Sequence, residues 1–182
     1  MITRADYQKA QRVGAELIQK TGIAIHPGEM ARIDVADFGL SDLETFGAQI
    51  LTLVNTDNIA AKLIAMHPYQ TMPEHWHPQV GDYMGKEETI RCEWGVLFLY
   101  GPGEPSAAPK AVVPEAKLPA FTQWHERLLK PADQVTFPPN TPHWFQAGPE
   151  GVVVWSFSTK VIDLQDLFTD PEIRRDTVIS ED

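Results

Sequence analysis

Apolar and polar residues follow a helical period in the first part of the chain. Within Arg4–Lys20 the apolar side chains recur at helical spacing among Gln, Lys, Arg and Glu: Ala10, Val13, Leu17 and Ile18. Thr3 is a suitable N-cap for this segment, and Thr21-Gly22 provides a stop signal. The pattern predicts an amphipathic helix, and it is the only long helix that we expect in the chain.

The rest of the chain shows the alternation and the short apolar runs that are typical of strands. Ile33–Phe38 alternates as a strand with one solvated face does. Further segments of this kind are Gln49–Asn55, Lys62–Met66, Glu88–Tyr100, Phe121–Leu129, Gln134–Phe137, Trp144–Ala147 and Gly151–Ser158. Trp94-Gly95 interrupts the longest of them and predicts a tight turn or a bulge. The chain has 15 Pro and 12 Gly, which punctuate nearly every junction. Such a series of short strands predicts an all-β sandwich or barrel.

Composition and charge narrow the class of protein. With 182 residues, of which 43% are apolar, the chain is expected to form one domain with a real core. The formal net charge of −10 and the absence of a basic stripe argue against a nucleic-acid partner. The apolar stretches are too short to cross a bilayer, so no membrane partner is expected. Cys92 is the single cysteine, which excludes a disulfide framework and fits a reducing cytoplasm.

The candidate chemistry centres on histidines. Alternate residues of a strand point the same way, so His75 and His77 can present two imidazoles to one point. Glu88, in the next strand, can supply a carboxylate, and His143, just after a Pro-rich turn, can supply a third imidazole. Imidazole and carboxylate groups suit Mn, Fe, Co, Ni and Zn. We therefore expect these four residues to hold one divalent metal ion.

This combination resembles the cupin superfamily. Its first motif places His-x-His before a Glu, which is followed by six residues and a Gly; here Thr89–Trp94 separates Glu88 from Gly95. The ten residues of Pro78–Glu87 exceed the usual spacing between His and Glu, which leaves Glu87 as an alternative ligand, but the distance to Gly95 selects Glu88. In the second motif, Pro138–His143 fits with Asn140 at a glycine position, and Asn tolerates a left-handed backbone.

More of the chain resembles the D-lyxose isomerase family of cupins. The resemblance runs in order over roughly residues 20 to 175, through Val54–Asp57, Pro73–Pro78, Gly85–Cys92, Pro138–Gly148 and Phe168–Pro171. It implies a single-domain cupin β-barrel (jelly roll), with an N-terminal helical arm over residues 1–30, the barrel over 31–160 and a C-terminal tail over 161–182. It further implies a divalent metal, usually Mn, and interconversion of D-lyxose and D-xylulose or of D-mannose and D-fructose. The expected partner is a small-molecule sugar, and closed dimers are the commonest assembly, so we expect a homodimer.

The residue that moves the proton is less well defined. Lys86 matches a lysine of the family motif and is a candidate for binding a sugar oxygen or shuttling a proton. The resemblance implies a glutamate base in the last barrel strand, but Ser156 stands at that position, and a serine cannot replace a carboxylate base without a partner of its own. Glu74 and Asp166 are therefore candidate bases, with Glu87 and Glu126 as alternatives.

The missing glutamate keeps two other functions open. The same ligand set suits a cupin metalloenzyme of another class, such as an iron-dependent dioxygenase. A non-catalytic sugar-binding barrel is the second alternative, because it needs the pocket but not the base.

Overall fold

The computed structural model describes residues 1–180, which form a curled β-sheet with few helices. In chain order the elements are β1 (Ile2–Thr3), α1 (Arg4–Lys20), α2 (Pro27–Met30), β2 (Asp34–Ala36), β3 (Ala48–Asn55), β4 (Ala60–Met66), β5 (Thr71–Trp76), β6 (Glu88–Gly101), β7 (His125–Leu129), β8 (Gln134–Phe137), β9 (His143–Ser158), β10 (Leu167–Phe168) and β11 (Ile179–Ser180). Short 3-10 helices span Glu115–Ala120 and Asp163–Gln165. The predicted all-β barrel is confirmed.

Helix α1 has the predicted bounds, and its start is fixed by a capping box. The Asp6 amide donates to Thr3 Oγ1 at 3.1 Å, and the Thr3 amide donates to the Asp6 carboxylate at 3.3 Å. Leu17 and Ile18 of α1 pack outside the sheet, against Leu63 and Val153. The helix therefore covers one outer face of the barrel, away from its interior.

Two long strands, β6 and β9, run through the whole barrel and pair with each other along nearly all their length. The second half of β9 pairs with β4 and its first residues pair with β5, while β6 pairs with β8 in its first half and with β7 in its second. Both strands bend at glycines with positive φ, +78° at Gly95 and +89° at Gly151. A Cβ on Gly95 would lie 2.2 Å from the Gly151 carbonyl oxygen, so only glycine fits there.

The two halves of the curled sheet enclose one apolar interior. Its buried side chains come from both halves, for example Ile50 and Ile64 from one and Leu99 and Phe145 from the other. A second cluster lies outside the second half, where the Tyr100 and Trp144 rings stack at 4.0 Å and Phe121 closes over them. The segment 101–119 contributes to this cover through Ala111 and Val113.

Three predicted strand boundaries were wrong. The predicted strand Ile33–Phe38 is reduced to Asp34–Ala36, and Phe38 has a φ of +54°. The predicted strands Trp144–Ala147 and Gly151–Ser158 are one continuous strand, because the ladder with β6 passes around the bend at Gly151. The predicted strand Phe121–Leu129 begins only at His125, because Phe121 belongs to the loop that packs on Trp144. Within residues 1–180 no helix is long and apolar enough to cross a membrane. The limits of the arm, barrel and tail stay a prediction.

Candidate metal centre

The four side chains expected to bind a metal lie together inside the barrel. One nitrogen or oxygen from each of His75, His77, Glu88 and His143 falls within 4.8 Å of the others. All four residues are buried, with exposures of 6%, 3%, 3% and 0% in that order. The three imidazole ring centroids are 4.5 to 5.3 Å apart. The donors therefore surround a single point, and this group could hold a metal ion.

Strand pairing and one tight turn place these residues. His75 of β5 is the cross-strand partner of His143, the first residue of β9. His77 lies just beyond the end of β5, and its carbonyl accepts a hydrogen bond of 3.0 Å from the Asn140 amide. Asn140 has a φ of +61°, as expected for an Asn at a glycine position of the second motif. The turn before β9 is thus tied to the chain segment that carries His77.

Each imidazole is oriented by a hydrogen bond from its outer nitrogen. The Nδ1 atoms of His75 and His143 lie 2.8 Å from the carbonyl oxygens of Pro73 and Thr141. His77 Nδ1 lies 2.7 Å from Asp166 Oδ1. Because these partners only accept hydrogen bonds, each Nδ1 carries the proton and each Nε2 presents a lone pair to the shared point. That tautomer is the one that ligates a metal.

The Glu88 carboxylate divides its two oxygens between different partners. Oε1 accepts hydrogen bonds from Lys86 Nζ at 3.0 Å and from Ser156 Oγ at 2.5 Å. Oε2 lies 3.1 Å from His77 Nε2 and 3.4 Å from His143 Nε2. Burial alone would raise the pKa of Glu88, but the Lys86 charge and the contacts with His143 and His77 hold this pKa well below its usual range. The carboxylate is therefore ionised.

The histidine pKa values reflect burial and neighbouring charge. Burial, followed by the proximity of His143 and His77, lowers the pKa of His75 well below its usual value. For His77, burial and the Lys86 charge lower the pKa, but the contacts with Asp166 and Glu88 outweigh them and raise it overall. His75 is therefore neutral and available as a ligand at ordinary pH.

One buried atom gives a direct test of whether a metal ion fits. His143 Nε2 is completely buried and has no hydrogen-bond partner among the described residues. An unpaired buried polar atom costs about 1–3 kcal/mol. A cation at the shared point would pair this atom and would also separate the Nε2 lone pairs from the Glu88 carboxylate. Three nitrogens and one carboxylate oxygen suit several divalent transition metals, so the residues fit the group.

A second set of charged residues faces the same cavity, and the sequence analysis missed it. Lys62 of β4 points into the barrel and is paired with Asp163 of the 3-10 helix that follows β9. Arg175 lies 3.0 Å from Asp34 and 3.7 Å from Asp163. The cavity has about 430 Å³ of empty volume, including its opening to solvent. Its apolar walls include Phe38 and Phe168. The signal in the sequence that could have found this set is Lys62 itself, a lysine within an otherwise apolar strand.

The candidate catalytic residues occupy different places. Lys86 and Asp166 both line the cavity beside the metal ligands. Glu74 is 1% exposed, and its carboxylate accepts hydrogen bonds from Thr122, Gln123 and Thr169. Its role as a base stays a prediction, as do the roles of Lys86 and Asp166. Of the two alternatives, Glu87 is exposed, and Glu126 is bonded to Tyr100 and Lys110.

A β-barrel with three histidines and one glutamate around one internal point defines the cupin class. No protein-family model matches the chain. It is 48% identical over 175 residues to a D-lyxose ketol-isomerase of Thermofilum sp. (strain ex4484_79), covering 96% of this chain and 97% of that protein. It is 46% identical over 175 residues to a D-lyxose/D-mannose isomerase of Thermosediminibacter oceani, with coverage of 96% and 97%. The chain belongs to the D-lyxose isomerase family.

The fold has relatives among solved structures. The L-ribose isomerase of Acinetobacter sp. DL28, crystallised with L-ribose, superposes with a TM-score of 0.78 over 98% of each chain at 16% identity. At that identity the likeness shows a shared fold. The barrel scaffold of the present chain is therefore one that is also found in a sugar isomerase.

Proposed function

We propose that this protein is a metal-dependent aldose–ketose isomerase that interconverts D-lyxose and D-xylulose. One observation carries the proposal: three oriented imidazoles and an ionised carboxylate converge at the wall of a cavity that is also lined by lysines and carboxylates. Family membership supports the choice of substrate, because the relatives are named for D-lyxose and, in one case, D-mannose. D-mannose is therefore the second substrate to test.

His75, His77, Glu88 and His143 would hold the ion. A divalent metal bound there supplies a Lewis acid that polarises the sugar carbonyl and acidifies the neighbouring hydroxyl. Manganese is our first choice, with Zn, Co, Fe and Ni as alternatives that the same donors suit. The ion identity, a homodimeric assembly and a cytoplasmic location stay predictions.

Proton transfer between C1 and C2 requires a base and a proton donor at the cavity wall. We assign the base to Asp166, because its Oδ1 is hydrogen-bonded to His77 and its Oδ2 has no hydrogen-bond partner within residues 1–180. Lys86 has three donor hydrogens and gives one to Glu88, so its ammonium group can also donate to a sugar oxygen. Glu74 is less suited to this task, because four hydrogen bonds already occupy its carboxylate.

The rest of the sugar would contact the other wall of the cavity. Lys62 and Asp163 offer a donor and an acceptor for hydroxyl groups, and the Phe38 and Phe168 side chains offer apolar surface for the carbon faces. A small polar ligand is commonly fixed by a few polar groups in an otherwise apolar pocket. This arrangement suits a short polyol better than a charged metabolite.

The test is to incubate Mn(II)-loaded protein with D-lyxose in D2O and follow the products by NMR. We expect D-xylulose with one solvent deuterium at C1, because a base exchanges its proton with solvent. D-xylulose without deuterium would favour a hydride shift over proton transfer by Asp166, and no ketose from either sugar would overturn the isomerase. Thermal stabilisation by sugar without turnover would favour a sugar-binding barrel, and oxygen consumption by iron-loaded protein would favour a dioxygenase.

A matched pair of variants tests the metal site independently of turnover. Elemental analysis of purified His75→Ala should show loss of the stoichiometric metal. The control is His67→Ala, since His67 Nε2 lies 2.7 Å from the Leu43 carbonyl oxygen and His67 is not among the four converging residues. Equal metal content in the two variants would contradict the assigned ligands.

A further inference from the structure

Ser156 stands where the family resemblance implies a catalytic acid, but its surroundings indicate another task. We propose that Ser156 is a positioning residue that, together with Lys86, holds Glu88 Oε1 so that Oε2 alone is presented to the metal ion. This inference rests on the proposed function only in that it places a metal ion among the four donors. It assigns a role to a residue that is not among the four donors.

Strand register places the hydroxyl. Ser156 of β9 pairs with Ile90 of β6 on one side and with Lys62 of β4 on the other. It is completely buried, and its Oγ donates to Glu88 Oε1 at 2.5 Å. A hydroxyl that donates to a buried carboxylate makes one of the stronger hydrogen bonds in proteins. The contact therefore restricts the orientation of the Glu88 side chain.

The partners of the two Glu88 oxygens decide which of them is the ligand. Each oxygen of an ionised carboxylate has about two lone-pair sites. On Oε1, Lys86 Nζ and Ser156 Oγ occupy both sites. Oε2 lies 3.1 Å from His77 Nε2 and 3.4 Å from His143 Nε2, with no other donor recorded on it among the described residues. The carboxylate would thus bind through one oxygen, leaving more coordination positions for a sugar than two-oxygen binding would.

The charge at this position supports the same conclusion. A glutamate in place of Ser156 would put a second negative group against Glu88 in a buried site, where like charges repel strongly. An alanine would leave Oε1 with the Lys86 ammonium alone. Serine supplies a hydrogen-bond donor without adding a charge. This suits a residue that orients the Glu88 carboxylate rather than one that reacts with the substrate.

The experiment measures Mn(II) binding to metal-free protein in the absence of sugar, by the EPR signal of free Mn(II). Loss of a partner that orients a metal ligand typically costs 10–100-fold in affinity, so Ser156→Ala should weaken Mn(II) binding by about that factor. Ser156→Thr keeps the hydroxyl and should restore most of the affinity. Ser156→Glu should bind more weakly than Ser156→Ala, because it adds repulsion.

Ser158→Ala is the matched control. Ser158 lies two residues further along β9 and is the register partner of Glu88, but its hydroxyl donates to the Thr159 carbonyl at 2.9 Å. This variant should bind Mn(II) as the unmodified protein does. Thermal unfolding of each metal-free variant verifies the fold. If Ser156→Ala does not fold, Ser156→Cys, whose thiol is a weaker donor, replaces it. Ser156→Cys should also bind Mn(II) more weakly than the unmodified protein.

The outcomes separate this inference from the proposed function. Unchanged Mn(II) affinity in Ser156→Ala (or in its Cys substitute), or an equal loss in Ser158→Ala, would overturn the role of Ser156 whatever the activity. Faster turnover by Ser156→Glu would instead identify the position as that of a missing base and would also overturn it. Protein that binds Mn(II) with the expected variant pattern but converts no sugar would leave Ser156 in place and remove the isomerase.

Discussion

Glu74 is the candidate base whose surroundings favour a structural role. Its substitution distinguishes most sharply between that structural role and a catalytic one. The carboxylate is buried and accepts hydrogen bonds from the Thr122 and Gln123 amides at 2.7 and 2.8 Å. It also accepts from the hydroxyls of Thr122 and Thr169 at 2.8 and 2.6 Å. It therefore joins β5 to the loop before β7 and to Thr169, the residue that follows β10.

The expected loss of stability follows from those four bonds. Glu74→Gln keeps an acceptor and loses the charge, which should cost about 1.5–3 kcal/mol, the range for a hydrogen bond to a charged group. Glu74→Ala leaves the donors without their acceptor, and with partial rescue by water we expect about 2–4 kcal/mol. For a chain of this size, each kcal/mol lowers Tm by about 2–4 °C. The alanine variant should thus unfold about 5–15 °C earlier.

The assay is thermal unfolding of metal-free protein, because a bound ion would add its own stabilisation. The control is Glu172→Gln, whose side chain is 72% exposed in an ion pair with Lys117 and should cost less than about 1 kcal/mol. Under this reasoning Glu74→Gln retains most of its turnover. A Glu74→Gln variant with unchanged Tm and turnover reduced by a factor of about 1,000 would refute the structural role and identify the base.

Other predictions concern the bend at Gly95, the hydrogen-bonded carboxylate of Glu126 and the thiol of Cys92. Gly95→Ala should destabilise the protein by several kcal/mol or prevent folding, since its Cβ would lie 2.2 Å from the Gly151 oxygen; near-normal denaturant unfolding would contradict this. For Glu126, burial raises the pKa, but hydrogen bonds from the Lys110 amide and the Tyr100 hydroxyl lower it overall. The contact therefore stabilises the fold above the unfolded pKa of about 4.3, and this is lost as the pH falls through the lower folded pKa. Glu126→Gln should reduce the steepness of the acid limb of a stability–pH curve, and an unaltered limb would argue against the contact. Burial, followed by nearby acidic groups, raises the pKa of Cys92 to about 12, so the thiol should react with a disulfide reagent only after unfolding; rapid labelling of native protein would be inconsistent with its position.

The sequence predicted the parts of the fold that follow from local pattern. The period of α1 and the cap at Thr3 were sufficient because both are local features of the chain. The two-residue spacing of His75 and His77 predicted that their imidazoles converge, although His77 lies just beyond the end of β5. The positive φ expected at Asn140 is present. The ladder shifts around Gly95, where a bulge was expected.

Long-range polar contacts were beyond the sequence. Lys62 and Asp163 are 101 residues apart, and β4 is buried on both faces, so its alternation did not mark Lys62 as a residue of the cavity. The hydrogen bonds that Lys86 and Ser156 donate to Glu88 Oε1 depend on strand register, which a pattern of single residues does not specify. The same register explains why Trp144–Ala147 and Gly151–Ser158 are a single strand.

The continuity of β6 and β9 has a consequence for how the native protein fluctuates. Each strand pairs on both sides over much of its length, so its amides can become exposed only when neighbouring ladders separate as well. The slowest hydrogen exchange should therefore be found in these two strands, as one cooperative folding unit. Glu88 and His143 are the first residues of that unit, so release of an ion held there would not require local unfolding of the strands that carry these donors.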